Sequence, residues 1–307
     1  MIVTRRRLML GGLGLAGAGV ATAAYATGIE ALELHVTRYR LTPPGWPAAR
    51  RLSIAVIADL HAGGPNMGLA RIHDVIDAAQ GEHADLIVVL GDYFATHRFI
   101  TEHVPHAAWA GELARLKAPL GVYAILGNHD WWYDTGAART ALKAVNIPVL
   151  ENDAVLLGDP GARFWLLGLG DTIAYKLGHG RFRGVDDLPG TLKRVTTDDP
   201  AILLVHEPDF FTKVPDRISL TLSGHTHGGQ IRIPFVWQHY VPSRYGARFA
   251  YGHVIENGRH LIVSGGLGTS VVPARFGVPP EILRIELGGE TPSLVHSKTM
   301  ISAPSTA

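Results

Sequence analysis

The chain has 307 residues, with 28 Lys and Arg against 27 Asp and Glu, 16 His and no Cys. The missing cysteine excludes disulfides, thiolate zinc sites, iron–sulfur clusters and a cysteine nucleophile, so any metal must be held by nitrogen and oxygen. A net charge of +1 argues against a nucleic-acid partner, whose binders carry a basic excess, and the length allows one large α/β domain or two small ones.

At the N-terminus, Arg5, Arg6 and Arg7 precede an uncharged run from Leu8 to Ala26, and Ala24-Tyr25-Ala26 has the small-x-small form of a signal-peptidase site. Thr4-Arg5-Arg6-Arg7-Leu8 resembles a twin-arginine export signal. Residues 1–26 are therefore expected to be an export signal, with the twin-arginine machinery as a partner. The protein would then act in the periplasm or at the outer face of the cytoplasmic membrane. Cleavage is the preferred outcome; retained, the segment is long enough to be an anchor. Without it, 25 basic residues face 27 acidic ones, a balance of −2.

Residues 27–50 read as an N-terminal strand and linker: Leu32, Leu34, Val36, Tyr39 and Leu41 alternate, and Pro43-Pro44-Gly45-Trp46-Pro47 stops the strand. Residues 51–287 read as the main domain. Short apolar runs at 52–58, 86–90, 122–126, 202–205 and 220–222 each have the length and continuous hydrophobicity of a buried central strand. Helical spacing at Leu69, Ile72, Val75, Ile76 and Ala79, at Trp109, Leu113 and Leu116, and over 137–145 alternates with them, which predicts βαβ units in the first half. The second half adds strands at 164–168, 261–264 and 282–287. Residues 288–307 lose apolar periodicity and predict a flexible tail.

Each apolar run ends in a loop bearing metal-capable side chains: Asp59 and His61, Asp92, Asn128 with His129 and Asp130, His206, then His225 and His227. Carboxyl ends of strands in open α/β sheets converge on one ligand-binding edge. A cluster of carboxylate, imidazole and one amide suits Mn, Fe or Zn and is a poor match for Mg or Ca. Asp92 is the natural carboxylate to bridge two such ions, which would activate a water between them and clamp a phosphoryl group.

These motifs, Asp59-Leu60-His61, Gly91-Asp92-Tyr93, Gly127-Asn128-His129-Asp130, His206 and Gly224-His225-Thr226-His227, resemble those of the calcineurin-like metallophosphoesterase family. Gly228-Gly229-Gln230-Ile231-Arg232, Gly265–Ser270 and Pro279-Pro280-Glu281-Ile282 resemble its exported or membrane-associated bacterial branch. The resemblance implies a four-layer α/β/β/α sandwich of two mixed β-sheets. It implies two divalent metal ions: Asp59, His61 and His227 on one, Asn128, His206 and His225 on the other, Asp92 between them. His129 would donate a proton to the leaving oxygen, with Asp130 orienting it. The implied substrate is a phosphodiester or pyrophosphate, with a lipid-linked or nucleotide–lipid compound of the envelope as one form. A phosphomonoesterase and a non-catalytic metal-binding envelope protein are the alternatives.

Other groups have two uses open to them. Trp131-Trp132-Tyr133, and Phe235, Trp237 and Tyr240, are either packing residues or an apolar lip for substrate. Arg232, Arg244, Arg248 and Arg275 are either surface residues or phosphate binders. Gly265–Ser270 reads as a tight loop near the metals, and the eleven histidines outside the motifs as surface residues.

Overall fold

The computed structural model describes residues 5–235, 240–289 and 295–301. A helix α1 (Arg5–Gly28) covers the segment expected to be the export signal. Its residues 16–25 are exposed, and it meets the body at Ala26, whose carbonyl accepts the Arg275 N–H at 2.9 Å. Among the described residues no helix is long and apolar enough to cross a membrane.

The body is built in chain order from β1 (Leu34–Leu41), β2 (Leu52–Ile57), α2 (Leu69–Gly81), β3 (Leu86–Val89), α3 (His106–Leu113), β4 (Val122–Ala124), α4 (Asn128–Tyr133), α5 (Thr135–Ala144), β5 (Asp153–Leu157), β6 (Phe164–Gly168), β7 (Tyr175–Gly178), β8 (Arg181–Arg183), α6 (Leu188–Lys193), β9 (Ala201–Leu204), β10 (Leu220–Ser223), β11 (Gly252–Glu256), β12 (Arg259–Val263), β13 (Glu281–Leu287) and β14 (Val295–Ile301). One sheet has the order β14-β1-β13-β2-β3-β4 and the other β11-β12-β10-β9-β6-β5. Both are mixed. Strands β2, β3 and β4 run parallel, as do β12, β10, β9 and β6, while β2 meets β13 and β5 meets β6 antiparallel.

Side-chain alternation divides the core into layers. Ile54 and Val56 of β2 pack with Ile202 and Leu204 of β9 between the sheets. Ala55 and Ile57 turn outward onto Ile72, Val75 and Ile76 of α2 and Trp109 of α3. Leu203 and Val205 turn the other way, onto Phe210, Phe211 and Leu188 of α6. A strand buried on both faces needs apolar side chains at every position, which is why these runs do not alternate in sequence. The result is two mixed sheets face to face with flanking helices, the expected sandwich.

The C-terminal expectation is corrected. Within 288–307, Val295–Ile301 forms β14, antiparallel to β1 from Leu34↔Ile301 to Arg40↔Val295. Strand β1 would otherwise present an open edge of N–H and C=O groups. Pairing to an edge needs a backbone and not an apolar face, so the polar sequence Ser297-Lys298-Thr299 gives no hydrophobic signal. Residues 302–307 lie outside the described residues.

Candidate metal centre

Strands β2, β3, β9 and β10 end on the same side of the sandwich, and the loops that leave them turn at once. Asp59, His61, Asp92, His225 and His227 all have left-handed backbone, with φ of 52°, 44°, 57°, 69° and 49°. Such conformations are uncommon for non-glycine residues and concentrate at functional sites. Here they aim side chains inward immediately after a strand. Close approach also dictates two glycines. A Cβ on Gly127 would lie 2.4 Å from Asp92 Oδ1 and 2.6 Å from His206 Cε1; one on Gly266, at φ 70°, would lie 2.8 Å from Asp59 Cβ. The loop Gly265–Ser270 thus wraps the site as expected, with Leu267 N donating to Ala58 O and Gly268 N to Asp59 O.

The expected ligand residues come together and are buried, His225 less completely than the rest. On one side, Asp59 Oδ1 lies 3.7 Å from His227 Nε2, and His61 Nε2 lies 3.0 Å from His227 Nε2. On the other, His225 Nδ1 lies 2.7 Å from Asn128 Oδ1. Asp92 sits between, its Oδ2 3.6 Å from His61 Nε2 and 3.2 Å from His206 Nε2. Asp59, His61 and His227 form one group able to hold a cation, and Asp59, Asp92 and His206 another.

The outer ring nitrogens fix which lone pairs face inward. His61 Nδ1 donates to Phe94 O at 2.9 Å, His206 Nδ1 to Leu90 O at 2.6 Å and His225 Nε2 to Pro242 O at 3.1 Å. The opposite nitrogen of each ring is left as an acceptor facing the cluster. Burial pushes His61 down to about 3 and also lowers His225 and His227, which keeps these imidazoles neutral; burial lowers His129 too, against the charge of Asp92, which raises it. Burial lifts Asp59 to about 7. Asp92 is buried too, but the adjacent His206 ring holds it well below the usual range, and Asp92 in turn raises His206; a cation bound between them would take the place of the His206 Nε2 proton and leave that nitrogen as the acceptor.

Whether a metal fits can be tested on hydrogen bonding. Asp59 Oδ2, Asn128 Nδ2 and His206 Nε2 are buried without a hydrogen-bond partner. Buried polar groups are normally paired; unpaired carboxylate oxygen and imidazole nitrogen aimed at one another fit a cation. The donor set, all oxygen and nitrogen, fits as well.

His129 stands at the edge of this cluster. Its Nδ1 is hydrogen-bonded to Thr96 Oγ1, its Nε2 lies 3.4 Å from Ser270 Oγ, and its ring meets His61 edge-on at 4.8 Å. Asp130 is placed differently from the expectation that it orients His129. Its Oδ2 accepts the N–H groups of Asp92 and Gly127, both at 2.9 Å, and its Oδ1 accepts Tyr93 N at 2.8 Å. Both oxygens are thereby engaged with backbone, so Asp130 ties the Asp92 loop to the Gly127 turn. Thr96, 33 residues away in sequence, is the residue on the imidazole, and no motif singled it out.

The arginines also separate. Arg275 is fully buried; its guanidinium donates to Gly265 O, Gly268 O and Val278 O and lies 3.3 Å from His227 Nδ1. It braces the loop around Asp59 and does not reach solvent. Arg248 pairs with Glu256, and Arg232 donates to Gly228 O. Of the tryptophans, Trp131 packs against Tyr175, with Arg139 over its ring. Trp132 is the lip: it lies 5.3 Å from His129 and stacks on Phe182 of β8. Phe235 and Tyr240 are 90% and 78% exposed, and Tyr240 lines the cavity beside His129; Trp237 lies outside the described residues. Among the remaining histidines His97 is buried, against expectation, and accepts the Phe99 N–H.

Buried carboxylates and imidazoles converging at strand ends of a two-sheet sandwich define a metal-dependent hydrolase. A family model described as "Calcineurin-like phosphoesterase" matches residues 52–229. The chain is 32% identical over 293 residues to an uncharacterized metallophosphoesterase, YkuE, of Bacillus subtilis, covering 91% of this chain and 96% of that one. It is 30% identical over 243 residues to the phosphodiesterase YaeI of Escherichia coli, covering 78% and 83%. Among solved structures, the NAD nucleotidase of Haemophilus influenzae aligns at a TM-score of 0.46 and 16% identity over 71% of this chain and 45% of that one. The chain belongs to the calcineurin-like metallophosphoesterase family, and it is a phosphoester hydrolase.

Proposed function

We propose that the protein hydrolyses phosphodiester or pyrophosphate bonds at a dinuclear metal centre held by Asp59, His61, Asp92, Asn128, His206, His225 and His227. The observation that carries this is the placement of Asp92, whose one carboxylate faces both His61 and His206. When bound, two divalent ions would polarise the phosphoryl group and supply a nucleophilic water at neutral pH. The chain's own residues do the rest. Asp130 fixes the Asp92 backbone, and Asp92 Oδ1 accepts the His129 N–H at 2.8 Å, which seats the imidazole beside the cluster. Protonated by solvent, His129 Nε2 gives its proton to the departing oxygen. The E. coli relative's being named a phosphodiesterase supports a diester over a monoester.

The cavity of about 540 Å³ beside His129 is walled by Trp132, Ile231, Ile233, Val271 and Val272. Apolar walls next to the reacting centre support a lipid-linked substrate. The twin-arginine resemblance of Thr4–Leu8 supports action outside the cytoplasm, at the membrane's outer face. Metal-loaded protein is expected to hydrolyse bis-p-nitrophenyl phosphate faster than p-nitrophenyl phosphate with Mn, Fe or Zn supplied. A much faster monoesterase would reverse the order of substrates, and no hydrolysis with any of the three would leave a metal-binding protein without turnover.

A further inference from the structure

A second cavity, of about 780 Å³, adjoins the first. The two share Trp132, His225 and Pro242, so a phosphorus seated at His225 has one substituent directed into each. Their chemistry differs. The first is apolar, and of the two only it is lined by His129 and Ser270. The second is walled by the β7–β8 hairpin and the segment around Pro242, and contributes Arg181 and Arg244.

The acidic groups in that second wall, Asp209 and Glu207, accept hydrogen bonds from the wall itself, although Glu207 Oε1 is buried without a partner. Asp209 accepts Ser243 Oγ at 2.5 Å and Arg244 N at 2.8 Å; Glu207 accepts Thr172 N at 3.0 Å and Thr172 Oγ1 at 2.8 Å. Arg181 and Arg244 have no carboxylate within ion-pair distance among the described residues, whereas Arg139, Arg248 and Arg40 each have one. Two uncommitted guanidinium groups in one cavity beside a phosphoryl site are suited to an anion held by paired N–H donors.

We propose that the substrate is an asymmetric phosphodiester or diphosphate whose retained arm carries an anionic group bound by Arg181 and Arg244, and whose departing arm is the apolar one. This rests on the phosphodiesterase function proposed above. Water adds to phosphorus, the P–O bond to the apolar arm breaks, and that oxygen leaves with a proton from His129. The anionic arm stays esterified to the phosphate product. The positions of the proton donor and of the arginines, in different cavities that meet at His225, set this direction.

The test compares two 4-nitrophenyl diesters, one with a 2-carboxyethyl arm and the other with a near-isosteric 3-methylbutyl arm. For the metal-loaded wild type, kcat/KM is expected to be about tenfold higher for the carboxylate, the size of one charge-assisted hydrogen-bonded pair. The ratio should fall in Arg181→Gln and in Arg244→Gln and approach unity in the double variant. Calorimetric binding of 2-carboxyethyl phosphate should weaken in the same order. A wild-type ratio near unity, or a ratio the double variant leaves unchanged, overturns the proposal. If neither diester is hydrolysed, the function proposed above fails, and calorimetry alone decides the arginine site: equal affinity in wild type and double variant removes it.

Discussion

Asp130→Asn separates two roles for a residue that sits beside the proton donor in sequence. The carboxylate accepts three backbone N–H bonds of 2.8 to 2.9 Å, from Asp92, Gly127 and Tyr93. An amide keeps one oxygen. Placed toward Asp92 and Gly127, it retains two bonds and turns its NH2 against the Tyr93 N–H. A hydrogen bond to a charged acceptor contributes about 1.5–3 kcal/mol, and a buried donor left unpaired costs a comparable amount. Against this, burial and the Asp92 charge already lift Asp130 to about 7, a penalty the neutral amide escapes. That penalty is about 4 kcal/mol against a gross loss of about 3–6 kcal/mol, so the net loss is at most about 2 kcal/mol, up to roughly 4–8 °C in Tm for a chain of this size. Thermal unfolding of metal-free protein measures it, and metal analysis should show weaker retention because Asp92 is no longer fixed. The pH dependence of kcat should keep its shape, since Asp130 does not touch the His129 ring. Wild-type Tm and metal content together with a shifted pH profile would refute the reasoning and restore Asp130 as the orienter of His129.

Further outcomes follow from the same geometry. His129→Ala should keep metal and lose turnover by about 10²–10⁴-fold, while Asp92→Ala loses metal as well; full occupancy in Asp92→Ala would remove it from the bridging position. Gly127→Ala should depress metal content, because the added methyl falls within 2.6 Å of both Asp92 and His206 side-chain atoms; unchanged occupancy would show that the turn can shift. Val271 is β-branched, 76% exposed and at φ 61°, so Val271→Asn should raise stability by about 1 kcal/mol in urea unfolding. His253 is lowered to about 4 by burial and then by His260. The unfolded chain therefore binds a proton that the folded chain refuses, and stability falls as pH drops from about 6.5 toward 4; His253→Phe should flatten that part of the urea midpoint against pH.

Much of this was legible in the chain. The doubly buried strands announce themselves because nothing polar is tolerated on either face, and the ligand residues follow directly where those runs stop. Strand β5 was missed because it is an edge, mostly half-buried, and hairpin β7–β8 because its residues are exposed. Neither needs an apolar pattern. Thr96, and the contact of Ser270 with His129, carry no sequence signal for another reason: each hydroxyl meets His129 across the fold, 33 and 141 residues away, and although Gly265–Ser270 reads as a loop near the metals, a lone hydroxyl has no spacing pattern.

The sequence by itself determined the inventory of candidate ligand residues and their strand-end positions, because a left-handed turn after a buried strand leaves a short polar motif. Tertiary structure decided what each neighbour of the site does. Asp130 and Arg275 have the composition of catalytic and phosphate-binding residues, yet burial commits both to backbone groups. Arg181 looks like ordinary surface charge in the chain and Arg244 is one of four arginines with a phosphate-binding reading open to it; only the folding of two distant loops beside His225 puts the two in one cavity.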